Sequence, residues 1–354
     1  IYEHPDAVPP SVRKHIDLNT GNDRGRIYRV APAGYHRRVQ SLAGLSSVEL
    51  ASLLSHPNHW HWTTAFRLLY ERQDSSAATK LVQIASSHSE HLARMRAMYA
   101  LAGMNQLSED VVATGLQAEE PGVRQHAVRL AESLLDRSPA LRSQICRLAN
   151  DDSVRVRRQV AFTLGEIATD GATAALADIA RRDVGNKWIE LAIFSSSFGR
   201  AGELFTRLAS NPEWRKSRAA IALLESLAEQ TGLQNRRDQV IEIIAFLDSI
   251  TDGEITLAQN VVRGLSKGLA KSKSPLLGAL NRQGESRAGE ILAKMIQQAK
   301  TTAVDKSLGE PQRAQAVRSL ASANFDEASA VLEQLLDSRQ PMEVQTAALR
   351  TLSR

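Results

Sequence analysis

The sequence predicts an all-α solenoid, an array of stacked helix pairs, and three observations predict it. A small residue inside an apolar helix returns at Ala65, Ala97, Ala127, Val160 and Ala192, at steps of 32, 30, 33 and 32 residues. A period between about 20 and 50 residues marks supersecondary units that cannot bury their apolar faces alone and must stack. The text around the marker also repeats, as TTAFRLLYE, MRAMYALAG, VRQHAVRLAESL, VRRQVAFTLGEI and IELAIFSSS. Finally, 43% hydrophobic but only 5% aromatic residues suit close stacking of small side chains over one large core. The length of 354 residues would otherwise suggest about two ordinary domains. Five registered markers favour one array over an irregular helical domain.

Taken in order, residues 1–40 break the helical pattern with Pro5, Pro9, Pro10, Gly21, Gly25, Pro32 and Gly34. The segment GNDRGRIYRVAPAG places a turn signal before the β-formers Ile27, Tyr28 and Val30. A lone strand has no partner in a helical array, so this segment is expected to be the end of a preceding domain plus a linker.

Residues 41–354 are expected to form the solenoid, regular to about 198, less regular over 200–300 and regular again over 310–354. The second helix of each unit carries the marker on a helical stripe, as in Val156, Val160, Leu164 and Ile167. The first is shorter, as in SSVELASLLS from Ser46, SAATKLVQIA from Ser76 and SPALRSQICRLA from Ser138. Ser138 before Pro139 predicts an N-cap followed by proline at the first helical position. Pro121, Pro212, Pro275, Pro311 and Pro341 punctuate the helical runs. A break is expected over 272–284, after which Ala288, Ile291, Leu292, Met295, Ile296 and Ala299 form another stripe. Ala316 and Ala348 are again 32 apart. About nine helical pairs are expected in all. Ile1 in place of Met and the apolar ending TAALRTL, without a polar closing face, are read as the edges of an excised piece.

A short helix followed by a second helix opening Asp-x-x-Val-Arg, seen as DDSVRVRRQVAFTLGEIA from Asp151 and PGVRQHAVRLAESLL from Pro121, resembles the HEAT repeat. In that family valine and small residues pack between units, while Asp and Arg link adjacent turns. The resemblance assigns linking roles to Asp152, Arg155 and Arg157 in one unit and Arg124 in the previous one. Glu119 and Glu120 stand where an Asp is expected before Arg124, so the ladder departs from the pattern.

A narrower resemblance covers residues 1–74. Asp23, Arg24, Gly25, Arg26, Ile27, Tyr28 and Arg29, then His56, Pro57, Asn58, Trp60, Arg67, Leu68, Leu69, Glu71 and Arg72, resemble a domain junction. The junction is that of large haem-binding Cys-x-x-Cys-His proteins of planctomycete-type bacteria. In that family a propeller similar to membrane-bound dehydrogenases precedes a HEAT array, and a cytochrome c domain closes the chain. The resemblance implies an exported, periplasmic parent whose haem c lies outside this stretch, and it carries over no catalytic or cofactor-binding residue.

The residues themselves narrow the chemistry. The single cysteine, Cys146, excludes an internal disulfide, a Cys-rich zinc module and a haem-attachment motif. Set in SQICRLAN, it reads as a small packing thiol. No Gly-rich phosphate loop or Gly-x-Ser-x-Gly elbow is present, nor is the His-Glu dipeptide of HEAT-like lysine-modifying metalloenzymes. No apolar run approaches the roughly 18 residues a membrane span requires.

All nine histidines precede residue 130, and two pairs recur 32 apart: His56 with His59, and His88 with His91. Neighbouring units lie about 8–10 Å apart, so these are weak candidates for a metal site, with Glu90 the nearest acid. The favoured alternative is that His56 shapes the turn before a helix capped by Asn58. Trp60, Trp62, Trp188 and Trp214 fall near the starts of second helices and are expected to fill gaps between units; an exposed row for peptide or base stacking is the rival reading.

The net charge is +5, with 34 Arg and 10 Lys. Basic clusters stand at Arg155, Arg157 and Arg158, at Arg181 and Arg182, at Arg215, Lys216 and Arg218, and at Lys267, Lys271 and Lys273. Asp151, Asp152, Asp183, Glu190 and Glu213 intersperse them, so nucleic acid is the weaker partner. The expected role is a non-catalytic scaffold or docking spacer between the propeller and the cytochrome c, with other proteins on the concave face. An autonomous HEAT adaptor is the alternative.

Overall fold

The chain is an all-α solenoid. A computed structural model describes residues 8–17, 30–35, 41–274, 287–323 and 325–353. The chain divides into two compact units, Ile1–Gly44 and Leu45–Arg354. The first contains one turn of helix, Pro10–Arg13, where a non-helical segment was expected, and Arg13 donates to the Val8 carbonyl at 3.1 Å. Proline at the first helical position makes the turn cheap, because its missing donor has no intrahelical partner there. The junction residues Asp23 to Arg29, and with them the expected strand at Ile27 and Tyr28, lie outside the described residues. No strand occurs among those that are described.

The second unit holds eighteen α-helices among the described residues. They are α1 Ser47–Ser52, α2 His59–Arg72, α3 Ala78–Ser87, α4 His91–Gly103, α5 Glu109–Leu116, α6 Pro121–Ala131, α7 Pro139–Arg147, α8 Val154–Thr163 and α9 Asp170–Arg182. There follow α10 Lys187–Ser196, α11 Ala201–Ala209, α12 Arg218–Gln234, α13 Arg237–Ser249, α14 Ile255–Lys271, α15 Arg287–Val304, α16 Glu310–Ser319, α17 Phe325–Leu335 and α18 Met342–Leu352. The odd-numbered helices contact one another in sequence from α1 to α17 and form one layer. The even-numbered helices form the other, packing consecutively from α2 to α10 and again as α12 on α14 and α16 on α18.

The markers sit where the layers meet. Ala65, Ala97, Ala127, Val160, Ala192 and Ala348 are 0% exposed, and Ala316 is 8% exposed. Val156, Val160, Leu164 and Ile167 are all buried, as the stripe requires. Local chemistry sets the helix starts. Ser46 and Glu49 form a capping box on α1, and Ser138 accepts from the Leu141 amide at 3.1 Å with Pro139 opening α7. Pro121 and Pro311 lie within first turns and Pro341 caps α18, so these prolines start helices instead of separating them.

The loosening after residue 200 has a geometric cause. Helices α12 and α14 lengthen to 17 residues each, and paired positions on them are 38 apart, as in Glu225 and Arg263. Their backbones approach closely through glycine. A Cβ on Gly268 would lie 2.1 Å from the Glu229 carbonyl oxygen, and one on Gly264 2.2 Å from that of Glu225. Helix α14 ends at Lys271 with Lys273 in the left-handed region at φ 51°; residues 275–284 of the expected break, Pro275 included, lie outside the described residues. No helix among the described residues is long and apolar enough to cross a membrane.

Candidate functional site

The strongest recurring chemistry lies three residues before the marker, one helical turn back on the buried side. Arg94, Arg124, Arg157 and Arg313 share this position; Arg124 and Arg157 donate to carbonyls of the loop before their own helix, and Arg94 and Arg313 to carbonyls in the last turn of the preceding helix, Ala85 and Ala303. Arg124 then forks onto Asp151 of the next unit at 2.7 and 2.9 Å, and Arg157 forks onto Asp183 at 2.6 Å through both arms. Arg313 reaches Gln340 of the next unit through a single bond at 2.7 Å. One guanidinium therefore closes a loop in its own unit and grips the next one. Burial by itself would raise the Asp151 carboxyl, but bonds from Arg124 and the Ser153 amide hold it below its usual range.

This ladder corrects the assignment made from the sequence. Asp152 is fully exposed and lies 3.8 Å from Arg182, while Arg155 faces solvent. Two residues along a helix is about 200° of rotation, so when Arg157 faces the neighbour Arg155 must face away. The acid that matches Arg124 also comes from the following unit, so Glu119 and Glu120 never needed to supply it. At the next step Ile189 takes the arginine's place and the charged ladder is interrupted, to return where Arg215 donates to the Ala209 carbonyl and forks onto Glu254.

Amides and a buried arginine take over there. Gln230 donates to the Phe194 carbonyl at 3.0 Å and accepts from Ser197, and Gln239 brackets the loop before α11 through Gly199 and Gly202. Arg200, 9% exposed, donates to the carbonyls of Ile167 and Leu164 at 3.0 and 2.9 Å. Sequence reasoning missed Arg200, Gln230 and Gln239, because their partners are backbone atoms 33 to 40 residues away.

The histidine pairs occupy equivalent turns. His56 accepts from the Asn58 amide at 3.0 Å, and His88 accepts from the Glu90 amide at 3.0 Å. Asn58 caps α2 by accepting from Trp60 at 2.9 Å. His59 and His91 open α2 and α4 and are exposed; the His59 ring stands 4.7 Å from Trp62. Among the described residues no three His, Cys, Asp or Glu side chains converge as metal ligands. Elsewhere, Tyr99 and His126 pair at 2.9 Å, and burial, aided by Arg129, pushes the imidazole below its usual pKa. Cys146 is half-buried, and burial pushes its thiol up.

The tryptophans divide. Trp62 lies under the Arg96 guanidinium at 3.9 Å, and Trp214 donates to the Arg181 carbonyl at 3.3 Å, so both fill joints between units. Trp60 and Trp188 do not, at 54% and 66% exposed. Trp188 borders a groove of about 320 Å³ with Gln125, Val154, Arg155, Arg158 and Ile189.

A second groove of about 420 Å³ lies between α4 and α5, lined by Arg94, Asp110 and Glu119. Most of the basic clusters are internally neutralised: Lys267 and Lys271 share Glu229, Arg215 forks onto Glu254, Lys216 meets Glu213, and Arg181 meets Asp178.

The charged ladder and its marker spacing coincide with a known pattern. Residues 108–195 match the family model for HEAT repeats. The matched stretch runs from the cap of α5 to the last turn of α10, which contains both forked arginine pairs. No curated protein matches the chain. Among solved structures, the crystal structure of Kap121p aligns over 86% of this chain at 12% identity with a TM-score of 0.40. The chain spans 42% of that chain's length.

Proposed function

We propose that the chain is a non-catalytic scaffold, a spacer and docking surface that fixes the separation and orientation of what it joins. The observation that carries this reading is the cross-linking of consecutive units by buried forks, Arg124 to Asp151 and Arg157 to Asp183. Stacked units contact only their neighbours, so orientation passes along such an array only as well as each joint is fixed.

The setting follows from the resemblance of residues 1–74 to a propeller-to-HEAT junction. It is an exported multidomain electron-transfer protein, with a dehydrogenase-like propeller before this stretch and a cytochrome c after it. Haem c would be held by the Cys-x-x-Cys-His of that cytochrome domain. The adjacent propeller and cytochrome domains are then the first partners, and other proteins dock on the array between them. The exposed Trp60 and Trp188 also suit an autonomous adaptor for protein partners. Nucleic acid is disfavoured, because most basic clusters are already paired with carboxylates.

Sequencing the coding DNA on both sides tests the setting. A Cys-x-x-Cys-His downstream with repeated strands upstream is the expected result. A start codon just before Ile1 and a stop codon after Arg354 would contradict it and leave the adaptor. The purified chain is expected to show neither haem absorbance nor dehydrogenase turnover, and either signal would overturn the scaffold.

A further inference from the structure

Arg155 and Arg158 stand apart from the arginines around them. Arg124, Arg157, Arg181 and Arg182 each have a carboxylate within 4.0 Å. Among the described residues Arg155 and Arg158 have neither an ion pair nor a hydrogen bond, although they lie one turn apart on α8. Across the groove from them, on α10, stands Trp188 at 66% exposed. Its neighbours extend an apolar strip over the same two helices: Val154 at 41%, Leu191 at 56% and Phe162 at 41% exposed. Two uncompensated guanidiniums beside an exposed indole combine the side chains most enriched where binding energy concentrates.

We propose that this groove between α8 and α10 binds an acidic, leucine-bearing peptide segment of a partner protein. Arg155 and Arg158 would take glutamate or aspartate carboxylates in forked pairs, and Trp188 with Val154 would cover an aliphatic side chain. Charge complementarity selects the acidic occupant, since guanidinium forks match carboxylate geometry. A volume of about 320 Å³ admits a few side chains of an extended segment. A nucleic acid strand fits less well. Its affinity grows with the number of phosphates neutralised, and the neighbouring Arg157 and Arg182 are committed to Asp183 and Asp152. The inference deepens the docking role proposed above and rests on it.

Fluorescence anisotropy on the full chain tests it with three labelled probes: a short peptide of glutamate pairs and leucines, the same peptide with lysine for glutamate, and a single-stranded oligonucleotide. The acidic peptide is expected to bind saturably and the other two at least about tenfold more weakly. W188A and the double variant R155A/R158A are each expected to weaken the acidic peptide by about tenfold or more, with unchanged thermal unfolding because all three side chains reach solvent. R67A, which removes an exposed arginine on α2, is expected to leave binding unchanged. Absence of acidic-peptide binding, equal binding by the variants, or preference for the lysine peptide or oligonucleotide would each overturn the proposal. An array of peptides of mixed composition separates the two claims. Capture of others with indifference to Arg155, Arg158 and Trp188 refutes this groove and leaves docking intact, while capture of none refutes both.

Discussion

Two stretches of the solenoid solve the same stacking problem with opposite chemistry. From α6 to the loop after α9 the joints are polar and buried: forked arginines sit three residues before the markers Ala127 and Val160, and the Arg157 and Asp183 side chains are only 7% and 10% exposed. Between α12 and α14 the joint is bare backbone against backbone. Gly232, Gly264 and Gly268 let the helices touch; one fork, Arg215 to Glu254, remains at the helix entrances, and the pairs along the helices lie on the rim, where Arg263 and Lys267 are 45% and 52% exposed. Geometry specifies the first joint, because a fork fits only one separation and one register. Contact specifies the second, because any side chain at the crossing would push the helices apart. The forks of the polar joint span 27 and 26 residues, and the charge pairs across the glycine joint span 38.

The largest expected difference comes from removing half of a buried fork. R157A leaves Asp183 buried without a partner and is expected to lower stability by about 3–5 kcal/mol in urea unfolding. Replacing both partners, as R157M/D183L, is expected to recover most of the loss; no recovery would show that the pair acts through something besides its charges.

The glycine joint should break by volume instead. G268A is expected to cost about 1–3 kcal/mol by overpacking, although alanine gains about 1 kcal/mol over glycine in helix propensity. At Gly122 in α6 an added Cβ meets nothing within 4 Å, so G122A should be neutral or stabilising. Equal effects at the two positions would remove the glycine account.

Acid should weaken both joints. The Asp151 and Glu229 carboxyls are each depressed, burial opposing and the Arg124 or Lys267 and Lys271 bonds prevailing. A depressed carboxyl binds its proton less well folded than unfolded. Its contribution is therefore complete above the ordinary pKa and is lost as pH falls through the folded one. The test is the unfolding midpoint at about pH 7 and about pH 3, in low and high salt. High salt should diminish the neutral-pH contribution of Glu229 and leave that of Asp151 nearly unchanged, as judged with E229Q and D151N.

The smallest effect is expected at the rim. K267A should change stability by no more than about 0.5 kcal/mol, since the ammonium is half exposed and Lys271 remains on Glu229.

The fold was legible because a marker that must be small repeats at nearly constant spacing, and each such residue proved buried. The ladder was legible only in part. Arg124 and Arg157 stand out as basic residues beside buried valines, yet Asp151 and Asp152 are adjacent and equally acidic, and only helix phase decides which one faces the neighbour. The joint at residues 197–202 left no trace, because Arg200 and Gln239 bind backbone carbonyls and amides whose positions depend on stacking. Gly264 and Gly268, four apart on the apolar face of an amphipathic helix, were a readable signal of close approach. Trp188 could not be distinguished from Trp214 by position in the chain, since both precede or open a second helix; only the neighbouring units cover one and expose the other.

The most direct test is a pair of double-mutant cycles measured by equilibrium unfolding, one on Arg157 and Asp183 and one on Arg263 and Glu225. The buried fork is expected to show a coupling energy of about 2–3 kcal/mol and the rim pair less than about 1 kcal/mol. Comparable couplings, or a buried coupling below about 0.5 kcal/mol, would contradict the claim that forked arginines hold the repeats in register.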